Sequence, residues 1–355
     1  MTYDSLIEKV NSHFIGNLPF VIYSLPDSTI ISVLFQKNSK LCKAEDFIED
    51  SFVFAPFQYE NNAHCIPKEL SEVFEVPFAM NSIPTCEIEV EENQLNKDAY
   101  CQLVHKAKEK VQASLGAKIV VSRSKEVAIK QIDISTLITR LFNLYTPAFR
   151  YIWYHPITGL WCGASPELLL KIDGAAFQTM ALAGTQKFNK NKSPRWTEKE
   201  KEEQQIVTDS IISSLEKVTS ILKVSKTYNF QAASLVHLRT DITGIFNKGK
   251  TTLSNITSVL HPTPAVCGTP KKTAASFIND HENYDREFYT GFLGPICGKE
   301  NCSKLFVNLR CMKIDNNMAT LYVGGGITKD SIDIEEWEET QNKMQTMLQV
   351  LQPML

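Results

Sequence analysis

The spacing of apolar and polar positions divides the chain into a strand-dominated opening stretch and a longer region where strands and amphipathic helices are mixed. Phe20-Val-Ile-Tyr-Ser and Thr29-Ile-Ile-Ser-Val-Leu-Phe are strand-like runs, and Pro26-Asp-Ser between them is turn chemistry. Residues 1 to about 95 therefore read as short strands and loops, ending in the acidic patch Glu87-Ile-Glu-Val-Glu-Glu-Asn-Gln. The expected organisation is an N-terminal subdomain over 1–95 and a larger unit over 96–355, joined as one compact body.

Beyond that boundary Tyr100, Leu103, Val104, Ala107, Val111 and Leu115 recur at steps of three and four, which predicts a helix stopped by Gly116. Lys118-Ile-Val-Val-Ser-Arg follows as a strand. A second helix near 131–145 packs through Leu137, Leu141 and Leu144. Strands are predicted over 149–154, 160–164, 168–172 and 176–182, with Asp173-Gly174 turning the third into the fourth. A polar, lysine-rich loop from Lys190 passes into a helix that reaches roughly Leu222. The stretch 289–327 reads as one antiparallel meander with strands over 292–297, 305–314 and 319–327, turning at Gly298-Lys-Glu-Asn. A helix over Asp333–Leu351 closes the chain. Strands come in hairpins more than in βαβ alternation. The predicted class is α/β of the α+β type, with mostly antiparallel sheets and helices packed outside.

Composition narrows the functional classes. A chain of 355 residues with 43% hydrophobic and 22% charged residues suits an ordinary globular protein with a large core. Its net charge of −3 offers no electrostatic case for nucleic acid or an anionic membrane. Nine cysteines, an odd number without a CxxC pair, suggest free thiols in a reducing compartment. The first residues lack a basic segment followed by an apolar one, and no apolar run approaches a membrane span. A cytoplasmic location is expected.

The most distinctive run is His261-Pro-Thr-Pro-Ala-Val-Cys-Gly-Thr-Pro. Its prolines fix φ and remove donors, so it is neither helix nor central strand. With no carboxylate and no lysine, it suits a pocket wall or a connecting loop better than a catalytic element. Glu200 and Glu203 sit three apart at a helix start, and Glu336 and Glu339 repeat that spacing near the C-terminus. Lys343 extends the second face. Two carboxylate pairs converging from two helices would make a hard oxygen site suited to Mg²⁺, although by spacing alone solvated helix faces are the commoner meaning. Lys118 and Glu167 each begin an apolar strand. A lysine there is usually an exposed edge charge, and serves as a general base only where its surroundings draw its pKa down from about 10.4. Gly324-Gly-Gly permits close approach of an anion but is not a dinucleotide fingerprint. Arg310 stands alone in an apolar strand as an edge residue or a carboxylate clamp. His237 reads most simply as a packed histidine.

Taken together, these stretches resemble the chorismate-utilising enzymes: isochorismate, salicylate, anthranilate and aminodeoxychorismate synthases. The resemblance runs in order through Lys118-Ile-Val-Val-Ser-Arg, Gly163-Ala-Ser-Pro-Glu-Leu-Leu-Leu, Leu182-Ala-Gly-Thr and the Glu200/Glu203 helix. It continues through Val236-His-Leu, His261-Pro-Thr-Pro-Ala-Val-Cys-Gly, Arg286-Glu-Phe-Tyr-Thr-Gly, Leu305-Phe-Val-Asn-Leu-Arg, Gly324-Gly-Gly-Ile and Glu336-Trp-Glu-Glu-Thr-Gln-Asn-Lys. It spans about residues 97–350 and implies the family's architecture, two large, stacked, mainly antiparallel sheets with helices packed outside and the site between. The resemblance implies that Lys118 activates water for attack on C2 of chorismate and Glu167 protonates the departing C4 hydroxyl. It implies Glu203 and Glu339 as Mg²⁺ ligands, with Glu200 and Glu336 in support. Tyr289 and Arg310 match residues that grip the enolpyruvyl carboxylate. Gly324, Gly325, Gly326 and Lys343 match the segment around the ring carboxylate. Gly184, Thr185 and His237 match positions beside the ring.

Within the family, Ala183 stands where aminodeoxychorismate synthases carry a lysine nucleophile, and no tryptophan-binding motif is found. The Pro-Thr-Pro-Ala-Val form, with Ala265 facing the substrate, is like that of isochorismate synthases, particularly the menaquinone type. Gln204 replaces a histidine common after the metal-binding glutamate, and Cys267 replaces a glycine. The expectation is a Mg²⁺-dependent isochorismate synthase feeding menaquinone or siderophore synthesis, a monomer or homodimer without a glutaminase subunit. A salicylate synthase, an ammonia-dependent anthranilate synthase and a silent chorismate-binding regulator are the alternatives.

Overall fold

The computed structural model describes residues 1–355 apart from 60–62, 114–116, 189–192, 233–234, 248–251 and 299. The predicted helix stop at Gly116, the loop start at Lys190 and part of the turn after Gly298 lie outside the described residues. Among the described residues, helices α1 (Tyr3–Ile15), α2 (Gln94–Gln112), α3 (Ile134–Leu144), α4 (Glu198–Leu215), α5 (Leu253–Leu260), α6 (Lys271–His281) and α7 (Asp333–Leu351) surround two sheets of nine and ten strands. Every strand pair described is antiparallel. Among the described residues no helix is long and apolar enough to cross a membrane.

The Phe149–His155 strand explains why the sheets stack. All seven residues are buried. Alternation sends Phe149, Tyr151 and Trp153 to one face, where they meet Phe52, Phe54 and Phe306 of the other sheet. The rings of Phe149 and Phe306 stack at 4.1 Å. Ile152 and Tyr154 point the other way into a cluster completed by α1, α3 and α7. A strand covered on both sides is mostly apolar, and the buried charge it carries is satisfied: the Arg150 guanidinium donates to Phe142 O at 2.6 Å and to Ser24 Oγ at 2.8 Å. A second outer cluster joins the ten-stranded sheet to α4 and α5.

Three expectations change. The opening stretch is not only strands and loops, because α1 precedes them, capped by Thr2 and buried through Leu6 and Val10. The helix expected to reach Leu222 stops at Leu215, and Thr219–Val224 is an edge strand. The single meander is two hairpins in different sheets. Phe292–Ile296 pairs with Lys304–Val307 in the ten-stranded sheet, whereas Cys311–Asp315 pairs with Met318–Ile327 in the nine-stranded one. The chain crosses between sheets at Asn308–Arg310, and Arg310 takes φ +48° there. Asn308 anchors the crossing: its Nδ2 donates to Phe288 O at 2.8 Å and its Oδ1 accepts from the Tyr151 hydroxyl at 2.7 Å. The opening residues supply strands to both sheets, including Phe20–Ser24 in one and Ser51–Ala55 in the other.

Candidate active site

The crossing point opens onto a cavity. Lys118, Glu167, Gly184, Thr185, Glu203, His237, Ala265, Tyr289, Arg310, Gly324, Gly326, Glu339 and Lys343 all line it. Residues far apart in sequence thus converge on one place. Gly325, Glu200 and Glu336 are not among the lining residues.

Lys118 starts the Lys118–Ala128 strand, flanked by Met318–Ile327 on one side and the two-residue Gly268–Thr269 strand on the other. It is 1% exposed, so it is no edge charge. Its Nζ pairs with Glu203 Oε1 at 2.8 Å. Gly326 makes room for this pair: a Cβ there would collide with Lys118 Cε and lie 2.6 Å from Glu203 Oε1. Glu167, also buried, accepts a hydrogen bond from Thr263 Oγ1 at 3.2 Å. Burial pushes its pKa up to about 7, with the Thr263 bond and the Lys118 charge opposing. The cavity therefore places a lysine and a carboxyl that is protonated in part at neutral pH around one space.

The carboxylate pairs are not solvated faces. Glu336 is 1% exposed beneath the first turns of α7 and pairs with Lys199 of α4 at 2.8 Å. Burial and the Glu339 charge raise its pKa to about 7 against the pull of Lys199. Burial also works against ionisation of Glu339, yet Lys343, at 2.5 Å, with Lys199 and Arg310, holds its carboxylate below the usual range. Glu200 is turned back on its own helix, accepting from the Thr197 backbone N–H at 2.8 Å and from the Thr197 hydroxyl. Gln204 does structural work in place of a histidine. Its Nε2 donates to Ala181 O at 3.1 Å and to Thr240 Oγ1 at 3.0 Å, pinning α4 to the sheet beside Glu203.

These carboxylates are oxygen donors of the kind a hard divalent cation takes, and each is paired with a lysine: Glu203 with Lys118, Glu339 with Lys343 and Glu336 with Lys199. Glu203 and Glu339 face the cavity from α4 and α7. Glu336 stands behind them, where a Cβ on Gly325 would meet its Oε2 at 2.9 Å and the Tyr100 hydroxyl at 3.5 Å. That hydroxyl is buried with no hydrogen-bond partner among the described residues. Among the described residues no group of three or more acidic, His or Cys side chains stands close enough together to hold a metal ion unaided.

On the other side, His237 Nδ1 lies 2.9 Å from Gly184 O and 3.2 Å from Thr185 Oγ1. Burial and the Arg310 charge lower its pKa to about 3, so the ring is neutral. Donation to the Gly184 carbonyl assigns the proton to Nδ1 and leaves Nε2 an acceptor. Arg310 and Lys343 supply the cationic side, with Lys343 Nζ donating to Gly324 O at 2.7 Å. Ala265 and Val266 form an apolar wall. Sequence reasoning missed Thr263, Tyr322 and Lys199. Tyr322 was within reach, since period-two alternation puts it on the same strand face as Gly324 and Gly326.

Comparison with known proteins gives this arrangement a family. The chain is 33% identical over 245 residues to the isochorismate synthase EntC of Escherichia coli K12, covering 66% of this chain and 62% of that protein. It is 28% identical over 272 residues to the isochorismate synthase MenF of the same organism, covering 73% and 62%. The chain thus spans less than two thirds of the length of these relatives. Among solved structures, a putative 2,3-dihydroxybenzoate-specific isochorismate synthase, DhbC from Bacillus anthracis, superposes with a TM-score of 0.79 at 24% identity, covering 98% and 99% of the two chains. The sequence model described as chorismate binding enzyme matches residues 59–352, and the chain belongs to that family.

Proposed function

We propose that the protein converts chorismate to isochorismate. The observation that carries this reading is the pairing, in one cavity, of buried Lys118 with buried Glu167, whose pKa near 7 keeps a proton available. The step requires Lys118 in its neutral amine form, whose Nζ takes a proton from water as the water oxygen bonds to C2. The ring double bonds shift, the C4–O bond breaks, and Glu167 gives its proton to the departing hydroxyl, so one water enters and one leaves. Arg310 and Tyr289 hold the enolpyruvyl carboxylate. Gly324 and Lys343 sit at the ring carboxylate, with Gly325 shaping the strand behind. His237 Nε2 offers an acceptor to a ring hydroxyl, while Gly184 and Thr185 fix the imidazole.

Glu203 and Glu339 would hold Mg²⁺, with Glu336 and Glu200 behind them, and the ion would supply positive charge to the ring carboxylate. Nothing in the wall formed by Ala265 and Val266 binds a polar nucleophile other than water.

Incubation of the purified protein with chorismate and Mg²⁺, followed by chromatography of the products, tests the proposal. Isochorismate is expected from the wild type. Lys118→Ala should lose at least about a hundredfold in turnover, the usual scale of a general base, while still binding chorismate. Salicylate or anthranilate as the main product would overturn the assignment, as would an active Lys118→Ala.

A further inference from the structure

Arg286 is not among the residues lining the cavity, yet it bonds to three that are, Val120, Val266 and Thr290. Its guanidinium is buried and all five of its N–H donors are engaged. Nε and Nη2 form a bidentate pair with Glu282 at 2.7 and 2.6 Å. Nη2 also donates to Val120 O at 2.8 Å, and Nη1 donates to Val266 O at 2.9 Å and Thr290 Oγ1 at 3.2 Å. Val120 lies two residues from Lys118, Val266 belongs to the apolar wall, and Thr290 follows Tyr289. Glu282 reinforces the first of these, because its Oε1 accepts from Ser122 N at 2.7 Å and Ser122 Oγ at 2.9 Å. Val120 N donates to Cys267 O at 2.9 Å, closing the base strand onto the 261–270 loop.

We infer that Arg286, locked by Glu282, is a positioning residue that sets the distance between the Lys118 strand and the Ala265–Val266 wall. A planar fork with five fixed donors can bind two backbone carbonyls, a hydroxyl and a carboxylate together; a lysine ammonium with three donors cannot. The inference rests on the proposed reaction for its kinetic consequence but not for its structural one.

The test compares wild type, Arg286→Lys and Glu282→Gln by amide hydrogen exchange and by steady-state kinetics. In Arg286→Lys, peptides covering 118–123 and 261–270 should exchange about tenfold faster or more, while the Phe149–His155 strand keeps its protection. Per folded molecule, isochorismate formation should lose about tenfold or more in kcat with KM within about threefold, because a base misplaced by a fraction of an ångström still leaves the substrate bound. A purely structural role would lower the folded fraction and leave kcat per folded molecule intact, which would overturn the inference. Unchanged exchange in both peptides would overturn it too. If Arg286→Lys does not fold, Glu282→Gln decides: faster exchange in the same two peptides supports the inference, and unaltered exchange refutes it. A wild type that makes no isochorismate would sink the functional proposal, while the exchange data would still judge the role of Arg286.

Discussion

At the scale of single residues, Glu167 makes the sharpest commitment. Its carboxyl is raised from an ordinary 4.5 to about 7 in the fold, mainly by burial. A raised folded pKa means the native state favours the protonated form. The cost of holding the charge is absent below pH 4.5, grows as pH rises, and is complete above 7. Glu167→Gln, neutral at every pH, should therefore be more stable than wild type at pH 8 by up to about 3 kcal/mol, and the two should converge near pH 4. Paired urea melts at these pH values check this. Equal stability at pH 8 would remove the burial argument. The residue types were legible in the sequence, because lysine and glutamate at strand starts stand out. Their burial was not, since it depends on a two-residue strand at Gly268–Thr269 covering Lys118 and on Thr263 reaching Glu167 from a distant loop.

At the scale of elements, α4 and α7 act as a pair. Lys199 to Glu336 joins them across the helices, while Glu203 and Glu339 look into the cavity between. The i, i+3 spacing was visible in the sequence, but the inequality within each pair was not. Glu200 is consumed by a cap and Glu336 is sunk under its own helix, and only tertiary packing decides that. Glu339→Ala should weaken Mg²⁺ binding by about tenfold or more in calorimetry, and chorismate binding with it. Wild-type Mg²⁺ affinity would exclude Glu339 as a ligand. The 261–270 loop contributes differently: it carries the apolar wall and is held by Arg286 from behind. Ala265→Thr places a hydroxyl in that wall, so with ammonium present the ratio of amino to hydroxy product should rise more than the total rate changes. An unaltered ratio would deny the wall a part in choosing the nucleophile. The mistaken single strand over 305–314 has a clear physical origin. Asn308 and Arg310 interrupt the apolar run two residues apart, as the polar face of a continuing strand would, so nothing local marks the passage from one sheet to the other at Arg310.

At the scale of the whole molecule, antiparallel sheets with helices outside were readable from hairpin spacing, while the stacking of two large sheets followed only from the family resemblance. The strand order was not, because long-range pairings such as Phe20–Ser24 with Phe149–His155 leave no local trace. The fold brings the Lys118 strand, Glu167, two acidic helices and the apolar wall to the line where the chain crosses between sheets. The resulting account is of a water molecule activated on one side of a bound ring and a hydroxyl expelled from the other. Turnover of chorismate in water enriched in ¹⁸O, followed by mass spectrometry of the product, tests that claim most directly. The account predicts one heavy oxygen in every isochorismate formed, carried at C2. Unlabelled isochorismate would mean that the hydroxyl migrates within the substrate, and would contradict it.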